Sequence, residues 1–467
     1  MPFCVAVMAA GLLLFSLACG GNNPAAMGSV TVSLSDPATC AGPTGPFSHV
    51  YLTVKDVQAS TSGNANGGFT DLTPNLSKAP IQLDLLGQAN NQCVLATLGA
   101  ANELQPGNYQ QIRLILEDNA AADLLPAPGN KCVPTGVVGP VANDCVVLSS
   151  NGVVDPIILS SEATTGIKIP SGQIAGGQLS VAAGQTKDLN IDFNACSSIV
   201  LEGNGDYRLK PVLHAGELAL NSSSINGTVV DKATGQPLVG GLVMVALEQK
   251  DASGIDRVMM ATDADSSGNF AFCPVPAGTF DIVAVGVNGA NLAYAATLTQ
   301  GVSNGTSIGN VQLIAESGAS TAPGTITGSI STSTGSAATG ADLTLSALQA
   351  AATGSGNVTF TVPLVLQMAA TASLGTAPGA TCASNTDCAT YSLSVLAAPA
   401  TTGTFAAGGT TYTAGSGAAS YMVEADAVVP SSGGTADCSP SSLTTAAVTV
   451  TPGVSVAAGA LAFTGCQ

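Results

Sequence analysis

The sequence predicts an all-β chain built of tandem antiparallel β-sandwich domains behind an N-terminal signal peptide. Its composition indicates strands and turns rather than helices, because the 467 residues include 55 glycines and 25 prolines and only 9% are charged. Apolar and polar side chains also alternate over short stretches such as 29–34 and 49–54, which is the period of a half-buried strand. A chain of this length is expected to form two to four domains.

The first element is an apolar run over residues 11–18 that ends at Cys19. This run is too short to span a bilayer and has the length of the hydrophobic region of a secretory signal. The sequence Leu-Ala-Cys-Gly at 17–20 is similar to the lipobox of bacterial lipoproteins. The resemblance implies a signal peptide over 1–18 and a lipidated tether over 19–27, in which Cys19 is diacylated on sulfur and becomes the first residue after cleavage.

The match departs from the lipobox in two ways. Ser16 stands three residues before the cysteine, where the family prefers Leu, and no Lys or Arg precedes Cys19. An ordinary cleaved signal peptide with an unmodified Cys19 is the alternative. In a cell with two membranes, Gly20 after the cysteine favours the outer membrane by analogy with other lipoproteins. We therefore expect an outer-membrane lipoprotein of the cell envelope, exposed to the periplasm or to the outside.

Charge and aromatic content exclude some partners. The net charge of −18 repels a phosphate backbone, so nucleic acid is not expected as a partner. Trp is absent and aromatic residues make up 4%, which removes the usual stacking platforms for sugars and bases. All 11 Lys and Arg lie between Lys55 and Arg257, so residues 258–467 contain none.

The cysteines predict disulfides. Twelve are present, and ten remain once Cys4 in the signal peptide and Cys19 at the anchor are set aside. An even number in an exported chain favours disulfide bonds. The candidate pairs are Cys132 with Cys145, Cys382 with Cys388, and Cys438 with Cys466, whereas the partners of Cys40, Cys93, Cys196 and Cys273 stay open. No Cys-x-x-Cys occurs and the two histidines, His49 and His214, stand far apart, so no metal site is predicted.

The first predicted body covers residues 28–220 and consists of alternating strands with Pro-Gly and Asn-Gly turns between many of them. Its order of blocks resembles the domain-of-unknown-function 4382 family (DUF4382), found mostly in bacterial envelope lipoproteins. This resemblance implies an antiparallel β domain and carries no known chemistry. The matching blocks are 30–36, 50–54, 83–86, 106–114, 165–168, 192–193 and 207–213. His49 and His214 are expected at strand ends on the rim of this body.

The second predicted body covers residues 223–315. Its strands at 224–231, 242–247 and 276–285 are similar to the carboxypeptidase regulatory-like domain, a prealbumin-type sandwich. That resemblance does not imply peptidase activity, because the segment contains no histidine to bind a catalytic zinc. The run from Asp263 to Gly268 faintly resembles a calcium loop, but the ligand pattern is incomplete and a hairpin turn is favoured.

The third predicted body covers residues 322–467. A shift of 101 positions aligns apolar and glycine residues of the second body with those of the third, which suggests a second, divergent sandwich of an immunoglobulin-like or prealbumin-like kind. The aligned pairs are Ile225 with Ile326, Gly227 with Gly328, Val229 with Ile330, Leu242 with Leu343, Met244 with Leu345, Ala246 with Ala347 and Leu247 with Leu348.

These observations favour a non-enzymatic, lipid-anchored envelope protein that acts as a surface scaffold or an adhesive binding module. The expected partners are the membrane, through Cys19, and envelope proteins or polysaccharide. The alternative is a polysaccharide-binding lipoprotein whose sugar site is formed by loop Asp and Asn side chains. An enzyme in the first body, using acids such as Asp84 and Asp192, is a third hypothesis. No catalytic residue, metal or cofactor is predicted.

Overall fold

The structure, a computed structural model, describes residues 26–35, 47–62, 68–86, 96–159, 162–193, 195–201, 205–209, 211, 213–218, 223–238, 240–317, 321–334, 341–354, 356–367, 369–378, 386–428 and 437–466. The predicted signal peptide, Cys19 and Cys382 lie outside these residues. Strands make up most of the described chain and its helices are single short turns, so the all-β prediction is confirmed. Among the described helices, none is both long and apolar enough to cross a membrane.

The first body is a sandwich of two main sheets around one apolar core. One sheet has the order β15-β12-β1-β5, and the other follows β10-β7-β2-β8-β9-β14-β13 with β3 and β4 paired to β2; a small pair, β11-β6, lies apart. The strands are β1 (Gly28–Ser35), β2 (Phe47–Ser60), β3 (Thr70–Asp71), β4 (Ile81–Asp84), β5 (Ala96–Leu104), β6 (Gly107–Tyr109), β7 (Gln111–Leu116), β8 (Cys145–Leu148), β9 (Val154–Ile158), β10 (Ile167–Pro170), β11 (Leu179–Val181), β12 (Thr186–Phe193), β13 (Ile199–Leu201), β14 (Tyr207–Leu209) and β15 (Leu213–Leu218). Short helical turns occur at Leu76–Lys78, Ser171–Gln173, Ala175–Gly177 and Ala195–Ser198.

The second and third bodies have a small sheet each and share a large one. The small sheets are β19-β16-β22 and β27-β28-β23-β33, with β34 also paired to β23. The strands of the second body are β16 (Ser223–Asp231), β17 (Leu242–Lys250), β18 (Ile255–Asp263), β19 (Asn269–Val275), β20 (Thr279–Val287), β21 (Thr297–Ser303) and β22 (Ser307–Leu313). Those of the third are β23 (Gly324–Thr334), β24 (Asp342–Thr353), β25 (Gly356–Thr361), β26 (Ala372–Gly375), β27 (Ala377–Pro378), β28 (Asp387–Val395), β29 (Thr401–Thr404), β30 (Ala419–Val428), β31 (Asp437–Thr444), β32 (Val448–Val450), β33 (Ser455–Ala457) and β34 (Leu461–Cys466), with a helical turn at Val365–Gln367.

The shared sheet runs β29-β21-β20-β17-β18-β25-β24-β30-β31. The third body therefore pairs with both edges of the second body's sheet, β25 with β18 and β29 with β21, each in parallel. An unpaired strand edge is a template for unwanted association, and this arrangement covers two of them. One apolar core contains Met244, Val283 and Leu298 of the second body together with Leu343 and Phe360 of the third. The tandem bodies are thus fused through hydrogen bonds and a common core.

The strands of the third body repeat those of the second at the spacing that the sequence indicates. A shift of 101 carries β16 onto 324–332 and β17 onto 343–351, which fall within β23 and β24. In two of the aligned pairs, Ile225 with Ile326 and Met244 with Leu345, all four side chains are buried. The two bodies consequently use equivalent positions to fill their cores.

The structure contains parallel strand pairs as well as the predicted antiparallel ones. In the second body the opening strand β16 runs parallel to the closing strand β22, and in the third β23 runs parallel to the closing strands β33 and β34. In the first body β1 runs parallel to β12. Alternation along one strand cannot reveal this, because parallel and antiparallel strands both point side chains to opposite faces in turn.

Disulfides join two of the predicted pairs, Cys132 with Cys145 and Cys438 with Cys466. Cys388 is disulfide-bonded as well, and its predicted partner Cys382 lies outside the described residues. The bond between Cys438 and Cys466 links β31 of the shared sheet to β34 of the third body's small sheet. It therefore connects the two layers of this body.

Gly328 provides a test of the third body's packing. It lies opposite Tyr391 in the β23–β28 pair, and a Cβ added there would collide with the buried Tyr391 ring. We expect Gly328→Ala to lower the free energy of unfolding by about 1–3 kcal/mol, since a packed core resists added volume. Denaturant unfolding with intact disulfides measures the change.

The matched control is Gly375→Ala, because nothing lies within 4 Å of a Cβ at that position. This variant should stay within about 0.5 kcal/mol of the wild type. Equal effects of the two substitutions would show that the ring of Tyr391 does not rest on Gly328.

Candidate functional site

The two acids of the enzyme hypothesis lie on different sheets of the first body. Asp84 on β4 accepts a 2.6 Å hydrogen bond from Nδ1 of His49. Asp192 on β12 accepts hydrogen bonds from the Ser35 hydroxyl at 3.0 Å and from the backbone N–H of Ala261 at 3.2 Å. Asp192 thus joins the first body to the second, and burial raises its pKa to about 7.

The predicted position of His214 on the rim is wrong. His214 lies near the beginning of β15, opposite Asp192, and is only 2% exposed. Burial lowers the pKa of its imidazole to about 4. The residue is inside because β15 packs against β18 of the second body, where Met259 covers the neighbouring Gly216. A sequence pattern for one body does not show that another body will cover its sheet.

All three bodies meet at one cleft of about 490 Å³, here called the central cleft. The first body contributes the loop around Gly172, the second the turn after β17, and the third the ends of β30 and β31. Its walls are mostly polar. They are formed by Gln110, Ser171, Gly172, Gly176, Gly177, Gln178, Asp251, Ala252, Ser253, Ile255, Arg257, Glu424, Asp426, Ser442 and Thr444. Clefts where domains meet are common ligand sites.

Arg257 organises the charges of this cleft. Its Nε–H donates to Oδ2 of Asp251 at 3.0 Å, and its two terminal nitrogens donate to the two carboxylate oxygens of Glu424. The side chains of Arg257 and Glu424 are 8% and 6% exposed. The planar guanidinium suits this two-pronged contact, which a lysine could not make. Thr444 also donates to Glu424, at 3.3 Å.

Asp251 is held in place by its own turn. Its Oδ1 accepts the backbone N–H groups of Ser253 at 2.8 Å and Ile255 at 2.9 Å, while Oδ2 is left for Arg257. Asp side chains stabilise turns in this way. The turn fixes the carboxylate at the cleft wall before any ligand arrives.

Asp426 is the second acid of β30. It follows Glu424 by two positions and therefore lies on the same face of the strand. It is 3% exposed, and its Oδ2 has no hydrogen-bond partner. Burial and the neighbouring Glu424 raise its pKa to about 7, against the opposing effects of Arg257, Ser442 and Gln173. A Cβ at Gly172 would lie 2.5 Å from Oδ2, so only glycine fits there.

A loop of the first body, residues 126–142, presents an apolar tip. Its base is closed by the Cys132–Cys145 disulfide and by Asn143, whose Nδ2 donates to the carbonyl oxygens of Asp118 at 2.6 Å and Asp123 at 2.9 Å. At the tip Val138 is fully exposed. Val137 and Val141, on either side of it in the chain, are also exposed.

The predicted turn near Asp265 is present in the structure, but it does not close a hairpin, because β18 before it pairs with β17 in the shared sheet and β19 after it pairs with β16 in the small sheet. Oδ1 of Asp265 accepts the N–H groups of Ser267 at 2.9 Å and Asn269 at 2.8 Å. Asp263 is half-buried, and the burial of its carboxyl group raises its pKa to about 7. In the described part of the chain, no group of three or more His, Cys, Asp and Glu side chains is arranged to hold a metal ion.

The sequence signal for the central cleft is weak. Glu424 and Asp426 alternate with apolar residues, as on any half-buried strand, and Arg257 stands 167 positions from Glu424. One hint was available, since Arg257 is the last cation of the chain and the acids that follow it have no cation nearby in sequence. Only the fold brings these residues together.

The fold and the cleft define an all-β protein of fused sandwiches with a polar site at their junction. Within it, residues 27–211 match the family described as domain of unknown function (DUF4382). This finding agrees with the resemblance drawn from the seven sequence blocks. No curated protein matches the chain.

Similar solved structures align loosely. The Bacillus anthracis TIE protein shares 10% identity with a TM-score of 0.15, and the alignment covers 95% of this chain and 51% of that one. GBS52, the minor pilin of Streptococcus agalactiae, shares 12% at a TM-score of 0.17, covering 53% and 97%. The shaft pilin SpaA of Lactobacillus rhamnosus GG shares 13% at 0.16, covering 62% and 97%. The chain thus spans about half the length of the first of these, and alignments this loose carry no argument about function.

Removal of Arg257 tests the buried ion pair. We expect Arg257→Met to lower the free energy of unfolding by about 3–5 kcal/mol, because it leaves the carboxylate of Glu424 buried without its cation. The change is measured by denaturant unfolding with intact disulfides. In the double variant Arg257→Met with Glu424→Leu, most of the stability should return.

The control is Lys187→Met, which removes the pair that Lys187 makes with Glu217, whose carboxylate side chain is 32% exposed. That substitution should cost less than about 1 kcal/mol, because water can solvate the carboxylate that remains. A loss of similar size for Arg257→Met and Lys187→Met would contradict the importance of the buried pair.

Proposed function

We propose that this protein is a non-enzymatic, lipid-anchored scaffold of the cell envelope that presents an adhesive surface. The observation that carries the proposal is the fusion of its bodies. The third body pairs with both edges of the second body's sheet, and Asp192 and Arg257 fasten the three bodies to one another. A fused assembly holds a surface at a fixed distance and orientation from its attachment point. The exposed Val138 on its braced loop supplies an apolar contact for a partner protein.

Attachment to the membrane is proposed through Cys19, followed by the tether over 19–27. The match of residues 27–211 to DUF4382 is compatible with an envelope protein but assigns no activity. We also propose that residues 223–315 are a carboxypeptidase regulatory-like module in a structural role. The segment has no histidine, which supports a role without zinc peptidase chemistry.

Acylation of Cys19 is the experiment for this proposal. We expect Cys19→Ser to release the protein from the membrane fraction of the native host, because serine cannot form the thioether to diacylglycerol. Mass spectrometry of the wild-type protein should find acyl chains on an N-terminal Cys19. Attachment of cells to one another or to a surface should fall with the release of the protein.

Cys4→Ser is the matched control, since it changes a cysteine that the predicted cleavage removes. It should leave membrane retention and cell attachment at wild-type levels. A mature protein without acyl chains at Cys19 would overturn lipid anchoring, and unchanged attachment in Cys19→Ser would overturn the adhesive role.

A second candidate function, saccharide binding, is favoured by the polar central cleft. Its walls offer amide, hydroxyl and carboxylate groups that can exchange hydrogen bonds with sugar hydroxyls, among them Gln178, Ser442 and Asp251. The volume of about 490 Å³ lies in the range of small-molecule sites. Polar side chains on turns could thus replace the aromatic platforms that the sequence lacks.

Blocking the cleft tests this candidate. We expect wild-type protein to bind at least one member of a panel of bacterial and plant polysaccharides saturably, and Ser253→Trp to abolish that binding because the indole fills the cleft mouth. Ser267→Trp is the matched control. Ser253 and Ser267 occupy equivalent positions in two aspartate-stabilised turns of the second body, and only Ser253 lines the cleft. Absence of binding across the panel, or equal loss in both variants, would contradict the candidate.

A further inference from the structure

We infer that the central cleft recognises an amino sugar, with its ammonium group beside Asp426 and its hydroxyls against the amide and hydroxyl groups of the walls. This inference rests on saccharide binding, the second of the proposed functions, and names the class of sugar.

The cleft carries more negative than positive charge. Three carboxylates, those of Asp251, Glu424 and Asp426, line it with a single guanidinium, that of Arg257. Arg257 directs its Nε to Asp251 and its terminal nitrogens to Glu424. Within the described structure, Asp426 has no ion-pair partner of its own. A ligand that brings a positive charge would supply the missing partner.

The unpartnered atom is Oδ2 of Asp426. A buried carboxylate oxygen without a hydrogen bond is costly to leave unsatisfied. Gly172 packs closely against this oxygen, since a Cβ at that position would lie 2.5 Å from it. The unpartnered oxygen thus belongs to a side chain that lines the cleft together with Gly172.

The walls favour an organic ammonium over a metal ion. Calcium requires six to eight oxygen ligands, and the described residues contain no cluster of acidic, His or Cys side chains arranged for a metal. An ammonium group needs only a few acceptors, which Asp426 and the nearby hydroxyl of Ser442 can supply. Gln110, Gln178 and Thr444 lie on the same walls and suit the hydroxyl groups of a sugar ring.

Affinity should depend on pH through Asp426. Burial, together with Glu424, raises the pKa of this carboxyl group to about 7, whereas Arg257, Ser442 and Gln173 lower it. An ammonium ion binds the ionised form, so binding favours loss of the proton. With that pKa the ionised fraction rises about fivefold between pH 6 and pH 7, and affinity should rise by a similar factor.

Calorimetric titration of the full protein with glucosamine tests the inference. We expect saturable binding that is at least tenfold tighter than that of glucose or N-acetylglucosamine, which lack the charge, and a fivefold gain from pH 6 to pH 7. Asp426→Asn should weaken glucosamine binding at least tenfold. Gly172→Ala, which displaces the carboxylate with a methyl group, should do the same.

Asp263→Asn is the matched control. It changes a half-buried carboxyl group that also has an unpartnered oxygen and a pKa raised to about 7 by burial, and Asp263 does not line the cleft. Its glucosamine affinity should equal that of the wild type. Thermal melting of each variant separates a loss of binding from a loss of folding.

The other outcomes separate a failure of the amino-sugar inference from a failure of saccharide binding. Equal binding of 1,5-diaminopentane and glucosamine would overturn the sugar while keeping the ammonium group. Calcium binding without glucosamine binding would overturn the ammonium assignment. Neutral saccharides could bind with an affinity that Ser253→Trp abolishes, while glucosamine binds no more tightly than they do. That result would overturn the amino-sugar inference and leave saccharide binding in place. If no saccharide binds, both fail.

Discussion

The contact between Arg257 and Glu424 is the constraint on which the assembly depends. Residues 258–467 contain no Lys or Arg, so the third body has no cation for its buried glutamate. The cation comes instead from β18 of the second body, which hydrogen-bonds to β25 and carries Arg257, whose guanidinium donates to Glu424 on β30. A buried carboxylate is tolerated only with a partner that satisfies it. The third body consequently needs the second for its charge balance as well as for its sheet and core.

The same joint creates the cleft. None of the three bodies forms it alone, because the first contributes the glycine-rich loop, the second contributes Asp251 and Arg257, and the third contributes Glu424 and Asp426. Burial that stabilises the joint also concentrates charged groups in a place with little water, where electrostatic interactions are stronger. The scaffold and the binding site are therefore two results of one packing arrangement. This is why sandwiches with no chemistry of their own can carry a site between them.

The sequence predicts local structure well because alternation reports directly which side chains face a core. The strands at 30–34 and 225–231, the turn at Asp265 and the repeat at a spacing of 101 residues could all be read from the order of residues along the chain, although the turn joins two sheets where a hairpin was predicted. Which strands pair with each other at a sheet edge could not be predicted in this way, since backbone hydrogen bonds leave no pattern in the order of side chains. The merging of two sheets was missed for this reason.

The candidate site was harder to predict than the fold. His214 looks like a rim residue until a second body covers it, and Asp426 looks like an ordinary strand acid until Gly172 closes over it. Both depend on contacts between residues far apart in the chain, whose approach is decided by the packing of whole bodies. Only the lack of cations after Arg257 carried non-local information. It indicated that the acids of the third body would have to find a cation elsewhere.

The parallel pairing of opening and closing strands has a mechanical consequence. In the second body β16 and β22 run in the same direction, as do β23 and β34 in the third, so the chain enters each body at one end of the pair and leaves at the other. Tension between the entry and exit points would act along the strands and across their hydrogen bonds. All the bonds of a pair would then share the load together, whereas a hairpin pulled at its open end loses them one after another. A protein fixed at one end and pulled at the other would resist force best with this connection of strands.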